Sequence, residues 1–167
     1  MSRLRVPLYF CVVFASQLAL AQPPVQEPAQ APSQTPAQEL ALALMLEDPR
    51  LEWGPCPAFL PEGCGIAVLH GDPAKRNADI FLKVPADSVI PAHWHTSAER
   101  MVLVSGELHV TYEGQGPIIL KPGSYAYGPA KRTHSGSCEK GDPCVLFIAF
   151  EEPVDAVPVV DAAEESQ

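Results

Sequence analysis

From residue 65 to residue 150 the apolar positions come in short runs, most alternating with polar ones and each closed by turn residues. Gly65-Ile66-Ala67-Val68-Leu69 stops at Gly71-Asp72-Pro73, and residues 79–84 stop at Pro85-Ala86-Asp87. Leu108-His109-Val110-Thr111-Tyr112 alternates strictly and ends in Gly114-Gln115-Gly116. Successive side chains of an extended chain point to opposite faces, so a period of two marks a strand with one buried face. The same pattern predicts strands over 89–95, 99–104, 117–120, 124–127, 133–137 and 145–150. Many short strands with Gly/Pro turns between them predict an all-β sandwich or barrel. Ahead of them, residues 40–46 (LALALML) predict a short helix ended by Asp48-Pro49. No period of repetition points to a solenoid or propeller.

The two ends read differently. Arg3 and Arg5 precede an apolar run over 8–20, broken only by Ser16 and Gln17, and Ala19-Leu20-Ala21 follows the small-x-small pattern of a cleavage site. This predicts a signal peptide over 1–21 and a mature chain beginning at Gln22. The run is short for a membrane span, and no other segment could cross, so no stable anchor is expected after cleavage. Cys11 lies inside the run and not behind a small-residue box, which argues against a lipoprotein. Residues 22–39 (QPPVQEPAQAPSQTPAQE) hold almost nothing to bury and predict a disordered linker. Residues 155–167 are acidic and small, and read as a tail. One folded domain is expected over 40–154.

Charge narrows the partners. The chain has 11 Lys+Arg against 20 Asp+Glu, and loss of Arg3 and Arg5 leaves a formal charge of −11. An exported protein this acidic, periplasmic or extracellular, is not expected to bind nucleic acid or an anionic membrane surface. Once Cys11 leaves with the signal, Cys56, Cys64, Cys138 and Cys144 remain. An even number in an exported chain favours disulfides. Three pairings are open, of which Cys56 with Cys64 and Cys138 with Cys144 is the simplest. A four-cysteine zinc site is the rival, but the C-x-x-C spacing is missing.

The candidate chemistry sits at His93-Trp94-His95-Thr96-Ser97-Ala98-Glu99. Residues two apart on a strand share a face, so His93 and His95 aim at one spot and a short bend lets Glu99 join them. Trp94 then points the other way. Downstream, Gly123, Pro129 and His134 outline a turn and strand that return a third imidazole. Three imidazoles and a carboxylate predict one divalent ion per chain, iron, manganese, zinc or nickel, with a coordination position left open. His70 and His109 read as turn or surface residues. Tyr125 and Tyr127 share one strand face, where one could line a pocket mouth as a proton donor. Lys83, in an otherwise apolar strand, reads as an anchor for an acidic ligand or as an edge charge.

These motifs resemble those of the cupins. The family's first motif, G-x5-H-x-H-x3,4-E-x6-G, is met by His93, His95, Glu99 and Gly106, with Asp87 in place of the opening Gly. The second, G-x5-P-x-G-x2-H-x3-N, is met by Gly123, Pro129 and His134, with Lys131 replacing a Gly and Cys138 the Asn. The lost Asn counts against a germin-like oxalate enzyme. Within the superfamily the chain is most similar to ChrR-like cupins, through Trp53, Pro55, Val68-Leu69-His70-Gly71-Asp72-Pro73, His93-Trp94-His95 and Gly123-Ser124-Tyr125. The resemblance implies a single jelly-roll barrel, a metal site and a homodimer. The expected function is metal-dependent action on a small molecule. The alternative is a metal-bearing binding or sensing module without turnover. No separate anti-sigma domain is present, so a direct hold on a sigma factor is not expected.

Overall fold

The computed structural model describes residues 40–160; the expected signal peptide, with Cys11, the linker, and residues 161–167 lie outside them. The described residues form two antiparallel sheets facing each other. The first carries β1 (Trp53–Pro55), β2 (Gly65–His70), β3 (Ala78–Val84), β10 (Cys144–Phe150), β5 (Glu99–Ser105) and β8 (Tyr125–Gly128), in that order across the sheet. The second runs β11 (Val157–Pro158), β4 (Ser88–Trp94), β9 (His134–Cys138), β6 (Leu108–Tyr112) and β7 (Ile118–Leu120). The all-β jelly-roll arrangement is the one the sequence predicts, and each of the expected strands is found within a residue of its expected bounds.

Alternation decides what lies between the sheets. Ile80 and Val84 of β3, Met101 and Leu103 of β5, Leu108 and Val110 of β6, and Leu146 and Ile148 of β10 are buried in one core cluster. Burying each such side chain contributes about 1.5–3 kcal/mol.

Register sorts the chemistry to one end. Glu99 pairs with Phe150 and with Gly128, and His134 pairs with both His93 and Tyr112. At the opposite end Val84 pairs with Cys144, and Leu108 with Cys138. The Cys138–Cys144 disulfide joins the two sheets at that far end.

The two departures from the cupin glycines keep the glycine backbone. Asp87 has φ 57° and Lys131 φ 61°, the left-handed region that Gly adopts without cost. Gly106, which matches the motif, has φ 80°, and a Cβ there would stand 2.9 Å from Cys144 Cα.

Three expectations need correction. No helix is found among the described residues, and 41–45 run without regular structure. Seven residues before a proline are too few to sustain an isolated helix, and Leu42 and Met45 are exposed, so no tertiary face holds one. Two short strands, β1 and β11, escape the sequence pattern. The second lies in the stretch read as tail: Val157 and Pro158 pair with Trp94 and His93, and Val159 N–H donates to the Ala92 carbonyl at 2.9 Å.

Candidate metal centre

Strand β4 delivers His93 next to its last residue, past a register shift between Ile90 and His93. His95 follows β4, Glu99 opens β5 and His134 opens β9. All four side chains are buried, Glu99 to 3% exposure. Candidate donor atoms of His93, His95 and His134 lie within 4.8 Å of one another. Glu99 joins from the other sheet, Oε1 3.3 Å from His95 Nε2 and Oε2 3.7 Å from His134 Nε2. The geometry therefore brings together the four residues that the sequence singled out.

The three rings share one proton placement. Nδ1–H of His93 donates to the Pro91 carbonyl at 2.7 Å, and that of His134 to the Arg132 carbonyl at 3.1 Å. Nδ1–H of His95 donates to the carbonyl of Asp155. A carbonyl can only accept, so each Nδ1 holds the proton and each Nε2 keeps a lone pair. Carbonyl partners of this kind fix ring orientation at metal-ligating histidines. The Asp155 carboxylate also accepts from Thr96 N–H at 2.8 Å, which ties the residue to the bend between His95 and Glu99.

Burial sets the charge state. Desolvation lowers all three imidazoles, His95 to about 4 and His134 to about 3, so they are neutral near pH 7. Desolvation, with the Asp155 charge second, raises Glu99 to about 8. Three acceptor lone pairs and a carboxyl converge in a buried space. Neighbouring lone pairs gain nothing from one another, and a divalent cation would satisfy all of them, so the donor set fits a metal.

Two groups at the site escaped the sequence reading. Tyr112 ends β6, is 3% exposed, and its hydroxyl is the buried side-chain polar atom among the described residues that has no hydrogen-bond partner. A Cβ on Gly128 would lie 3.0 Å from both Tyr112 Oη and Glu99 Oε2, so the absent side chain leaves the space these two atoms occupy. Burial, then the Glu99 charge, raises the Tyr112 phenol and keeps it protonated. The inward alternation of Leu108, Val110 and Tyr112 was the available signal. Asp155 is the other, and a backbone acceptor leaves no mark in a sequence.

Other singled-out residues lie elsewhere. Tyr125 and Tyr127 are 62% and 53% exposed and do not line the cavity, so the proton-donor role considered for them fails; the outward face of β8 carries both. Lys83 stands 4.3 Å over the Trp53 ring on the outside of the sheet, not inside as an anchor. His109 contacts Glu107 and Glu139 at 3.0 and 3.5 Å, and His70 ends β2 at an exposed position; neither belongs to the cluster. Trp94 is half-buried beside Val157, out of the cavity. Both local disulfides are formed, with Cα separations of 5.6 Å for Cys56–Cys64 and 5.8 Å for Cys138–Cys144.

A cavity of about 190 Å³ opens from the cluster between the sheets. Apart from the four candidate ligands, Tyr112 and Asp155, its walls are almost wholly aliphatic.

No similar sequence was found among curated proteins. Solved structures share the fold. A chain from the crystal structures of the DMSP lyases RdDddP and RnDddQII is 18% identical, with a TM-score of 0.58 over 66% of this chain. DMSP lyase DddQ from Ruegeria pomeroyi DSS-3 is 20% identical, with a TM-score of 0.56 over 68%. The chain spans 63% and 62% of the length of these two. The polyketide cyclase RemF from Streptomyces resistomycificus is 16% identical, with a TM-score of 0.58 over 72% of this chain and 88% of its own. Residues 43–153 match the family model of the ChrR cupin-like domain, and on that match the chain belongs to the ChrR-like cupins.

Proposed function

We propose that this chain is a metal-dependent cupin that acts on a small organic molecule at His93, His95, His134 and Glu99. The observation that carries this reading is the common proton placement. Three backbone carbonyls take the three Nδ1 protons, and three Nε2 lone pairs are left facing one buried space. A divalent iron, manganese, zinc or nickel ion suits these donors and, when bound, supplies Lewis-acid polarisation of an oxygen. The protein supplies the rest. Pro91, Arg132 and Asp155 hold the rings, aliphatic walls exclude water, and Tyr112 keeps its proton and offers it as a hydrogen bond. Fold-sharing proteins that are named as lyases and a cyclase support small-molecule chemistry in such a barrel. Two disulfides, with the expected signal peptide, support an oxidising compartment outside the cytoplasm.

A metal-bearing module without turnover is the second reading. It is favoured by the scarcity of acid–base groups in the cavity, where Tyr112 and Asp155 are, among the described residues, the titratable ones beyond the candidate ligands. A screen of metal-loaded protein against phenols, alcohols, carbonyl compounds and thiols, read as oxygen uptake or product, separates the two. Product formation that is absent in His93→Ala/His95→Ala supports the enzyme. Saturable binding without product across the panel supports the module.

A further inference from the structure

We infer that the molecule this cavity takes has one oxygen-bearing head and a compact, uncharged, apolar body about the size of a benzene ring. The inference rests on the reading of the cluster as a metal centre, since that is where the head is placed. The polar groups of the cavity are confined to one end. His93, His95, Glu99 and His134 meet there, and the unpaired Tyr112 hydroxyl adds a donor for one oxygen. From that end the walls continue as Val84, Ile90, Leu108, Val110, Leu146 and Ile148. Register puts Val84 and Leu108 at the end away from the cluster, beside Cys144 and Cys138.

Sign and size then limit the ligand. Among the described residues no lysine or arginine lines the cavity, and the Asp155 carboxylate is already engaged by Thr96 N–H. A second charged group on the ligand would be buried against aliphatic side chains without a partner, which is strongly unfavourable. The cavity measures about 190 Å³. An apolar cavity of about 150 Å³ takes benzene, whereas sites for drug-sized ligands run from about 300 Å³ upward. A sugar, a nucleotide or an elongated dicarboxylate therefore does not fit, and a six-membered ring with one polar substituent does.

Benzoate and terephthalate test this directly, because the para carboxylate is rigidly carried into the aliphatic end. Both are titrated calorimetrically into zinc-loaded mature protein, with zinc content measured on the same sample. Benzoate is expected to saturate at one per chain and terephthalate to bind about a hundredfold more weakly or worse. Val84→Phe, which fills the aliphatic end, is expected to lose benzoate and keep its zinc. Terephthalate binding as tightly as benzoate, no benzoate binding, or full benzoate binding in Val84→Phe each overturns the inference. The ligand pair on the unaltered chain decides if that variant does not fold. Failure to load zinc sinks the metal reading instead, and phenol against 4-hydroxybenzoate on the metal-free chain then decides the body: tighter phenol binding supports it, and equal binding overturns it.

Discussion

His95 and Asp155 are joined across sixty positions of sequence: the imidazole Nδ1–H donates to the Asp155 carbonyl, and this one bond orients a ring of the candidate centre from beyond the last core strand. The acceptor is backbone, so substitution leaves it in place and truncation removes it. A chain ending at residue 154 is expected to fold and to bind zinc about 10–100-fold more weakly, the usual cost of losing such a partner. Asp155→Ala keeps the carbonyl, loses the bond to Thr96 N–H, and is expected to weaken binding less. Competition with a chromogenic chelator measures both. Unchanged affinity in the truncated chain would show that the strap does not support the site.

The metal-free protein should be most stable near pH 6.5. Folding lowers the three imidazoles from an ordinary value of 6.5, two of them to about 4 and about 3. The unfolded chain therefore binds more protons in that window, so their contribution is complete above pH 6.5 and is lost as pH falls toward 4. Glu99 runs the other way. Its folded value of about 8 exceeds the ordinary 4.5, so its contribution is complete below pH 4.5 and is lost as pH rises through 8. Three groups outweigh one on the acid side, and Glu99 acts alone between pH 6.5 and 8. Denaturant titrations with chelator at pH 5, 6.5 and 8 should show this peak. Glu99→Gln should abolish the alkaline fall; an alkaline fall that survives it would place the titrating group elsewhere.

Gly128 tests how tightly the site is packed. A Cβ there meets Glu99 Oε2 and Tyr112 Oη at 3.0 Å, whereas one on Gly116 meets nothing within 4 Å. Gly128→Ala is expected to weaken metal binding about tenfold, since ligand placement tolerates displacements of only about 0.5 Å. Gly116→Ala is the neutral control. Equal affinity in the two would mean that Glu99 has room to move.

The Cys138–Cys144 bridge ties the sheets at the end away from the candidate ligands. Cys138→Ala/Cys144→Ala is expected to lower unfolding free energy by about 2 kcal/mol, as for a short closed loop, and to leave metal affinity nearly unchanged. Denaturant unfolding and chelator competition on one preparation check the pair of outcomes. A thiol count on the unreduced, denatured chain should find no free thiol among these four cysteines.

The parts of this molecule that a sequence can carry were legible in it. Strand alternation gave the sheets, and the spacing of His93, His95, Glu99 and His134 gave a set of candidate ligands that the fold gathers at one end. What stayed hidden depends on relations a sequence does not encode locally. Asp155 meets His95 through its carbonyl, Gly128 leaves room through the side chain it lacks, and β11 pairs through two residues that mean nothing without β4 beside them. Tyr112 was within reach of the alternation argument, but the outward pair Tyr125 and Tyr127 drew the proton-donor role away from it. The helix expected over 40–46 shows the converse, since favourable propensity did not suffice without a buried face.

Metal content is the most direct measurement. Mature protein, purified without chelator from an oxidising compartment and analysed by inductively coupled plasma mass spectrometry, should carry close to one divalent ion per chain. His93→Ala/His95→Ala should carry essentially none and keep the circular dichroism of a folded β protein. A folded unaltered chain that takes up no iron, manganese, zinc or nickel, or a double variant that retains the full complement, would contradict the assignment of the centre to His93, His95, Glu99 and His134.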